Sequence, residues 1–274
     1  EKEEEEEKEV EKPSVSYEET FLNEDLMFGE LDILSLGTSG FHYHSSAKLD
    51  TSFSKVGMKR LLKEQASFSS ILPLHPSSSV FVRVDSSRPA VLQALITGPQ
   101  GTPYQNGCFL FDVYCKNYPS SPPLVNLATT GNGLVRFNPN LYNCGKVCLS
   151  LLGTWDGAAG ETWDPKMSTL LQLFVSIQSL IFVEEPYFNE PGYEEDMGDE
   201  WVQKESESYS QNIRKETMKW AVVNMIENPP KGFEEVVEKH FRLKKEEVEK
   251  QGESWLTGKD EAGLKKLKEV MAKF

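Results

Sequence analysis

The sequence predicts an α+β fold: an N-terminal helix, a four-stranded antiparallel meander, an irregular loop, then central and C-terminal helices. Three observations predict it. Short runs rich in β-branched and aromatic residues follow one another between Val80 and Leu127, joined by turn signals, as hairpin-linked strands are. A segment of helical period precedes them. Further segments of helical period fill the chain after Ser168.

Lys55 to about Leu72 reads as the first helix, with Met58, Leu61, Leu62 and Phe68 facing inward and Lys55, Lys59 and Lys63 forming one basic stripe. V-F-V-R-V from Val80, a Ser86-Ser87-Arg88-Pro89 turn and V-L-Q-A-L-I-T give the first hairpin. The Gly/Pro loop G-P-Q-G-T-P-Y leads to C-F-L-F-D-V-Y-C, and the rigid loop Y-P-S-S-P-P leads to L-V-N-L-A-T-T. Ser168 to Val183 is apolar nearly all round and reads as a buried central helix. Tyr209 to Ile226 is a further helix, stopped by Asn228-Pro229-Pro230. Phe233, Val236, Val237, His240 and Phe241, then Leu264, Leu267, Met271 and Phe274, recur at 3–4 spacing as two core-facing stripes.

Composition divides the chain into three regions: an acidic tail and linker expected to be disordered over 1–54, a core domain over 55–228 and a helical extension over 229–274. Residues 1–32 hold 14 acids and three Lys, so most of the net charge of −14 is a property of the tail. Glu1 to Lys12 repels itself and has almost nothing to bury. The stretch from there to Ser54, rich in Ser, Gly and Thr with scattered aromatics such as Phe21, Phe28, Phe41 and Tyr43, reads as a solvated tether, with local docking left open; a basic partner for the tail is the alternative. With the remainder near neutral, no basic face is available for phosphates, and nucleic acid is not expected as a partner.

The longest apolar segment, Leu170 to Val183, is 14 residues long and interrupted by Gln and Ser, too short and polar for a membrane span. No secretory leader pattern is visible, and a chain that opens on Glu reads as a piece of something longer. Cys108, Cys115, Cys144 and Cys148 form no C-x2-C pair and no His stands beside them, so neither a zinc site nor a disulfide framework is expected. A reducing compartment fits, the cytoplasm with the nucleus left open. Proximity alone leaves a regulatory disulfide between Cys144 and Cys148 as an alternative.

The chemistry concentrates in R-F-N-P-N-L-Y-N-C-G-K-V-C-L-S-L-L, from Arg136 to Leu152. It sets Asn140 eight positions before Cys148. A thiol is the most nucleophilic side chain near neutral pH, and an amide donor steadies a developing oxyanion without titrating. That pairing suggests acyl transfer through a thioester. Asn140 also reads as the closing residue of a turn after Pro139.

This string resembles the signature of ubiquitin-conjugating enzymes, H-P-N-x-x-x-x-G-x-[IV]-C-L-x-[IL]-L. Pro139, Asn140, Gly145, Val147, Cys148, Leu149, Leu151 and Leu152 match, and Asn138 stands where the family usually has His. The likeness continues through Ile96, Gly98, Pro99, Thr102, Pro103, Tyr104, Gly107 and Phe109, then Tyr118, Pro119, Pro122 and Pro123, and covers about residues 57 to 228. G-T-W at 153–155, S-I-Q-S-L-I at 176–181 and E-P-Y-F-N-E-P-G at 185–192 are most similar to the large plant-type and apollon-like members, which combine conjugating and ligase roles. Trp163 and Pro165 resemble the family's W-x-P element, but an inserted Gly-rich loop carrying Trp155 stretches the distance from Cys148 to Trp163 to 15 positions.

The resemblance implies the family's fold and a thioester enzyme in which Cys148 takes ubiquitin from the activating enzyme and passes it to a substrate lysine. ATP is spent upstream, so neither cofactor nor metal is implied. Asn140 would support the loop or the oxyanion. A lysine must lose its proton to attack, and N-E-P at 189–191 resembles the family element that supplies a carboxylate for this, making Glu190 the candidate, with Glu184, Glu185 and Glu194 competing. Lys55, Lys59, Arg60 and Lys63 would meet the activating enzyme, a plain solvated face being the alternative. Ser120 and Pro165 would lie on the ligase-docking loops, where Ser120 replaces a common Phe and implies weak contact with a RING ligase. Conjugation of another ubiquitin-like modifier, a non-catalytic ubiquitin-binding variant and a structural scaffold are the rival readings.

Overall fold

The computed structural model describes residues 16–50, 54–157 and 160–274. Its centre is a five-stranded sheet in the order β1-β2-β3-β4-β5: Phe28–Leu31, Val80–Asp85, Val91–Thr97, Cys108–Tyr114 and Leu124–Leu127. The last four form the expected antiparallel meander. The fifth strand, β1, comes from the segment read as linker and pairs parallel to β2.

Register explains how the segment is held. Val82, Ala94, Phe111 and Leu127 lie side by side on one face, while Arg83, Gln93, Asp112 and Asn126 form a polar row on the other. That polar row is buried. Residues 26–42 cover it and satisfy it with backbone groups: Arg83 donates to the Leu26 carbonyl at 3.1 Å, Gln93 donates to the Gly40 carbonyl at 2.9 Å, and the His42 N–H donates to Asp112 at 2.9 Å. A buried polar group without such a partner costs about 1–3 kcal/mol, so the covering strap and the sheet depend on each other.

The expectation of a disordered tail and linker over 1–54 is therefore corrected for residues 16–50. Ser16 and Glu19 form a reciprocal capping box at the start of α1 (Tyr17–Asn23), and Phe21 inserts fully into the core, its ring 4.8 Å from that of Phe81. The scattered aromatics are anchors. The acidic run Glu1 to Lys12 lies outside the described residues. Phe21→Ala is expected to cost about 3–5 kcal/mol, read as a lower urea midpoint. A free linker would show no change.

The helices after α1 include α2 (Lys55–Gln65), α3 (Leu170–Ser176, continuing in a π turn Ile177–Ile181), α4 (Glu200–Glu216), α5 (Glu234–Leu243), α6 (Lys245–Trp255) and α7 (Glu261–Met271). The first helix ends at Gln65, and a separate turn at Phe68–Ile71 follows. α3 is not buried all round: Leu170, Leu173, Phe174, Ile177 and Ile181 face the core while Val175 and Leu180 are exposed. It lies on the sheet surface, so only one stripe finds a partner. α4 starts before Tyr209, at Glu200, and runs on through a π turn to Glu227.

The C-terminal helices join the core through buried His240. Its Nδ1 accepts from the Tyr17 hydroxyl at 2.8 Å and its Nε2 donates to the Asn106 carbonyl at 3.1 Å. Burial pushes this imidazole down to about 4, so it stays neutral.

Candidate active site

The site rests on an aromatic cluster. The Phe109 ring lies 5.3 Å from Phe137 and 4.8 Å from Phe182, and Tyr104 lies 4.8 Å from Phe182. Such pairs add about 0.5–1.5 kcal/mol each beyond area burial and give the loop above them a rigid floor. The Tyr104 hydroxyl donates to the Phe137 carbonyl at 2.8 Å and accepts from Asn138 Nδ2 at 3.0 Å.

Asn138 organises the next turn. Its Nδ2 also reaches the Ile181 carbonyl at 2.8 Å, and its Oδ1 accepts from the Asn140 N–H at 2.8 Å and from Asn189 Nδ2 at 3.2 Å. The side chain is fully buried and bonded at both ends. An amide thus ties the turn together where the family usually has a His.

A tight hairpin then leads to Cys148, the candidate nucleophile. Leu141 bridges Val147, and the Tyr142 N–H donates to the Lys146 carbonyl at 3.0 Å. Gly145 closes the turn with φ +90°, and a Cβ there would fall 2.2 Å from Asn126 Oδ1. No other residue fits.

Asn140 and Cys148 are brought together as the spacing suggested. The Cys148 N–H donates to the Asn140 carbonyl, and Asn140 Nδ2 donates to the Cys148 carbonyl, both at 2.9 Å. The reverse amide orientation would set two oxygens against each other. Asn140 Oδ1 is buried without a partner among the described residues. In this arrangement the amide is a brace on the nucleophile's backbone.

Cys148 is 2% exposed. Burial pushes its thiol above the usual range; the charges of Lys146 and Arg136 and a hydrogen bond from Tyr142 oppose this. Thr154, the first polar residue of the inserted loop, clamps both neighbours of the nucleophile: its hydroxyl donates to the Val147 carbonyl at 2.8 Å and accepts from the Leu149 N–H at 3.0 Å. The next residues, Trp155 and Asp156, face Lys146 and Pro191 across an open cleft of about 790 Å³.

Alkylation of the four thiols is expected to rank by access. Exposed Cys144 reacts first, and fully buried Cys108 and Cys115 stay protected in the native state. Because only the thiolate reacts, labelling of Cys148 rises about tenfold per pH unit through neutrality. Mass mapping of iodoacetamide adducts between pH 6 and 8 checks this, and a flat profile at Cys148 contradicts it.

Glu190 ends a short helical turn (Pro186–Asn189), and its carboxylate pairs with Arg136 Nη2 at 3.3 Å. Of its competitors, Glu184 points to solvent and Glu185 accepts from Ser206 on α4 at 3.4 Å. The Glu194 side chain lies outside the described set. Among the described candidates, Glu190 is the one tied to the loop that carries Cys148.

A family model described as "Ubiquitin-conjugating enzyme" matches residues 60–217, more than half of the chain. The chain belongs to the ubiquitin-conjugating enzyme family. It is 54% identical over 218 residues to the human "Dual E2 ubiquitin-conjugating enzyme/E3 ubiquitin-protein ligase BIRC6", covering 79% of this chain and 4% of that protein. It is 48% identical over 199 residues to the "Probable ubiquitin-conjugating enzyme protein 17" of Caenorhabditis elegans, covering 72% of this chain and 27% of that one. The Arabidopsis thaliana "Putative ubiquitin-conjugating enzyme E2 38" is 42% identical over 221 residues, 80% of this chain and 65% of its own length.

The other surfaces that the family likeness singled out separate on the structure. Lys55, Lys59 and Lys63 are exposed along one side of α2. Arg60 turns inward instead: it bonds Glu64 Oε1 at 2.5 Å and the Ser168 carbonyl at 3.0 Å. Glu64 is a hub, accepting also from the Tyr118 hydroxyl at 2.6 Å and the Leu170 N–H at 3.0 Å. Ser120 and Pro165 are exposed on neighbouring loops joined by Trp163 Nε1, which donates to the Pro119 carbonyl at 2.7 Å. Among the described residues no helix is long and apolar enough to cross a membrane.

Arg136, Tyr142, Lys146 and Thr154 were given no role from the sequence. The first three stood inside the quoted string, but nothing in their spacing signals that they converge.

Proposed function

We propose that this chain carries ubiquitin as a thioester on Cys148 and transfers it to substrate lysines. The observation that supports this best is the braced hairpin around Cys148, with its carbonyl and N–H both held by Asn140 and two cations beside the thiol. Charging exchanges one thioester for another: the Cys148 thiolate attacks the ubiquitin carboxyl-terminal carbonyl and the activating enzyme's thiolate leaves. In transfer, the lysine nitrogen attacks that carbonyl carbon, a C–N bond forms, the C–S bond breaks, the amine proton passes to Glu190, and Cys148 leaves as thiolate. A reaction of this kind needs no cofactor on the chain, since ATP is consumed by the activating enzyme.

Lys55, Lys59 and Lys63 form the face offered to the activating enzyme, while Arg60 braces the loop behind it. Ser120 and Pro165 mark the ligase-docking loops. The relative named a dual conjugating enzyme and ligase supports a built-in ligase role, as does a small polar Ser120 at the docking position. Dependence on a reduced thiol supports a reducing compartment, the cytoplasm with the nucleus left open.

The test is a charging assay with activating enzyme, ubiquitin and ATP, run on gels with and without reductant. A reductant-sensitive adduct that mass mapping places on Cys148 supports the reading. An adduct with another ubiquitin-like modifier and none with ubiquitin reassigns the modifier. No adduct with any modifier overturns thioester transfer.

A further inference from the structure

Three charged or titratable side chains, Arg136, Tyr142 and Lys146, crowd the nucleophile loop, and Arg136 reaches beyond it. The Arg136 guanidinium lies 4.5 Å over the Tyr142 ring, and Lys146 Nζ meets the same ring at 5.5 Å. Arg136 Nη2 donates to the Pro139 carbonyl at 2.7 Å and to Glu190 Oε2 at 3.3 Å. Tyr142 in turn stands near enough to the Cys148 thiol to oppose the effect of its burial. From α4, Tyr209 is close enough to sense the charges of both Arg136 and Glu190. One guanidinium therefore spans the loop that bears the thioester and the loop that bears the carboxylate.

Stability does not account for this arrangement. The Arg136–Glu190 pair is 43% and 40% exposed, and a pair so open to solvent contributes about 0–1 kcal/mol. Position accounts for it. Arg136 is the partner the Glu190 side chain has among the described residues. Without it the carboxylate sits at the end of a short turn, free to swing to water. A shift of about 1 Å in a reacting group costs on the order of 100-fold in rate.

We propose that Arg136 is a positioning residue for the lysine-transfer step, holding the Glu190 carboxylate against the nucleophile loop where the acceptor amine gives up its proton. This rests on the thioester reading above. The bond to the Pro139 carbonyl and the stack on Tyr142 keep the guanidinium in place when the acceptor ammonium competes for Glu190. Arg suits the task because its planar fork serves an oxygen on each side and an aromatic face together, which a Lys ammonium does not.

The experiment measures single-turnover discharge from the purified thioester of the full chain, so charging does not enter. Arg136→Ala is expected to slow discharge to lysine by about 10–100-fold. Glu190→Gln slows it too, and the double variant is no slower than the worse single one, because Arg136 acts through Glu190. Discharge to hydroxylamine, an amine already neutral at the assay pH, keeps its wild-type rate in Arg136→Ala. Arg136→Lys recovers part of the lysine rate, and its fold is the less disturbed of the two variants. Equal slowing of lysine and hydroxylamine overturns the proposal, since it marks a distorted loop. Multiplying effects in the double variant overturn it as well. A wild-type chain that forms no thioester removes the underlying reading, and this proposal with it, before any variant is compared.

Discussion

Cys148→Ala is expected to abolish the reductant-sensitive ubiquitin adduct, with no residual charging by the other thiols. Cys108 and Cys115 are wholly buried in β4 and at its end, and burial pushes both thiols far above the usual range. Cys144 is exposed, yet it lies on the outside of the hairpin turn and lacks the Asn140 brace. Cys144→Ala therefore leaves charging intact. Cys148→Ser offers a far weaker nucleophile; any adduct it forms is an oxyester, which resists reductant and is cleaved by hydroxide. Parallel gels under reducing, non-reducing and alkaline conditions separate these cases. An adduct that survives in Cys148→Ala and disappears in Cys144→Ala would move the nucleophile four residues upstream.

Asn140→Ala is expected to slow lysine discharge on the order of 100-fold, the usual cost of letting a reacting group shift by about 1 Å. The Nδ2 bond to the Cys148 carbonyl fixes the backbone from which the thioester hangs. Asn140→Asp is the sharper test. It keeps the shape but replaces the donor with an anionic oxygen facing that carbonyl at 2.9 Å, so it fails at least as badly as alanine. Single-turnover discharge decides the matter, with urea midpoints recorded alongside. A rate loss no larger than the stability loss explains would reduce Asn140 to a turn residue.

Much of the core was legible before the fold. The meander strands declare themselves because β-branched and aromatic runs between Gly/Pro turns leave few alternatives, and β2, β3 and β4 fall within the runs that sequence marks. Cys148 and Asn140 were legible because their chemistry and spacing belong to one short loop. The extent of the helices was less so. Ser168 to Val183 has apolar residues on every side, and composition does not reveal that Val175 and Leu180 lack a neighbour.

The segment 16–50 misled for a definite reason. Its Ser, Gly and Thr content resembles a tether, and its worth lies in backbone groups that pair with Arg83, Gln93 and Asp112 more than fifty positions away. Sequence records which side chains are polar; it does not record which backbone groups they will meet. The same distinction separates the parts of the site. The sequence by itself singled out the candidate nucleophile and its amide partner, which share one local motif, and the family likeness added the carboxylate candidate. Only the tertiary structure decided that Arg136 links Glu190 to Tyr142, that Thr154 clamps the residues flanking Cys148, and that Arg60 faces inward. The Arg136–Glu190 and Arg60–Ser168 contacts join residues 54 and 108 positions apart, and even the local ones depend on how the packed loop turns on its aromatic floor.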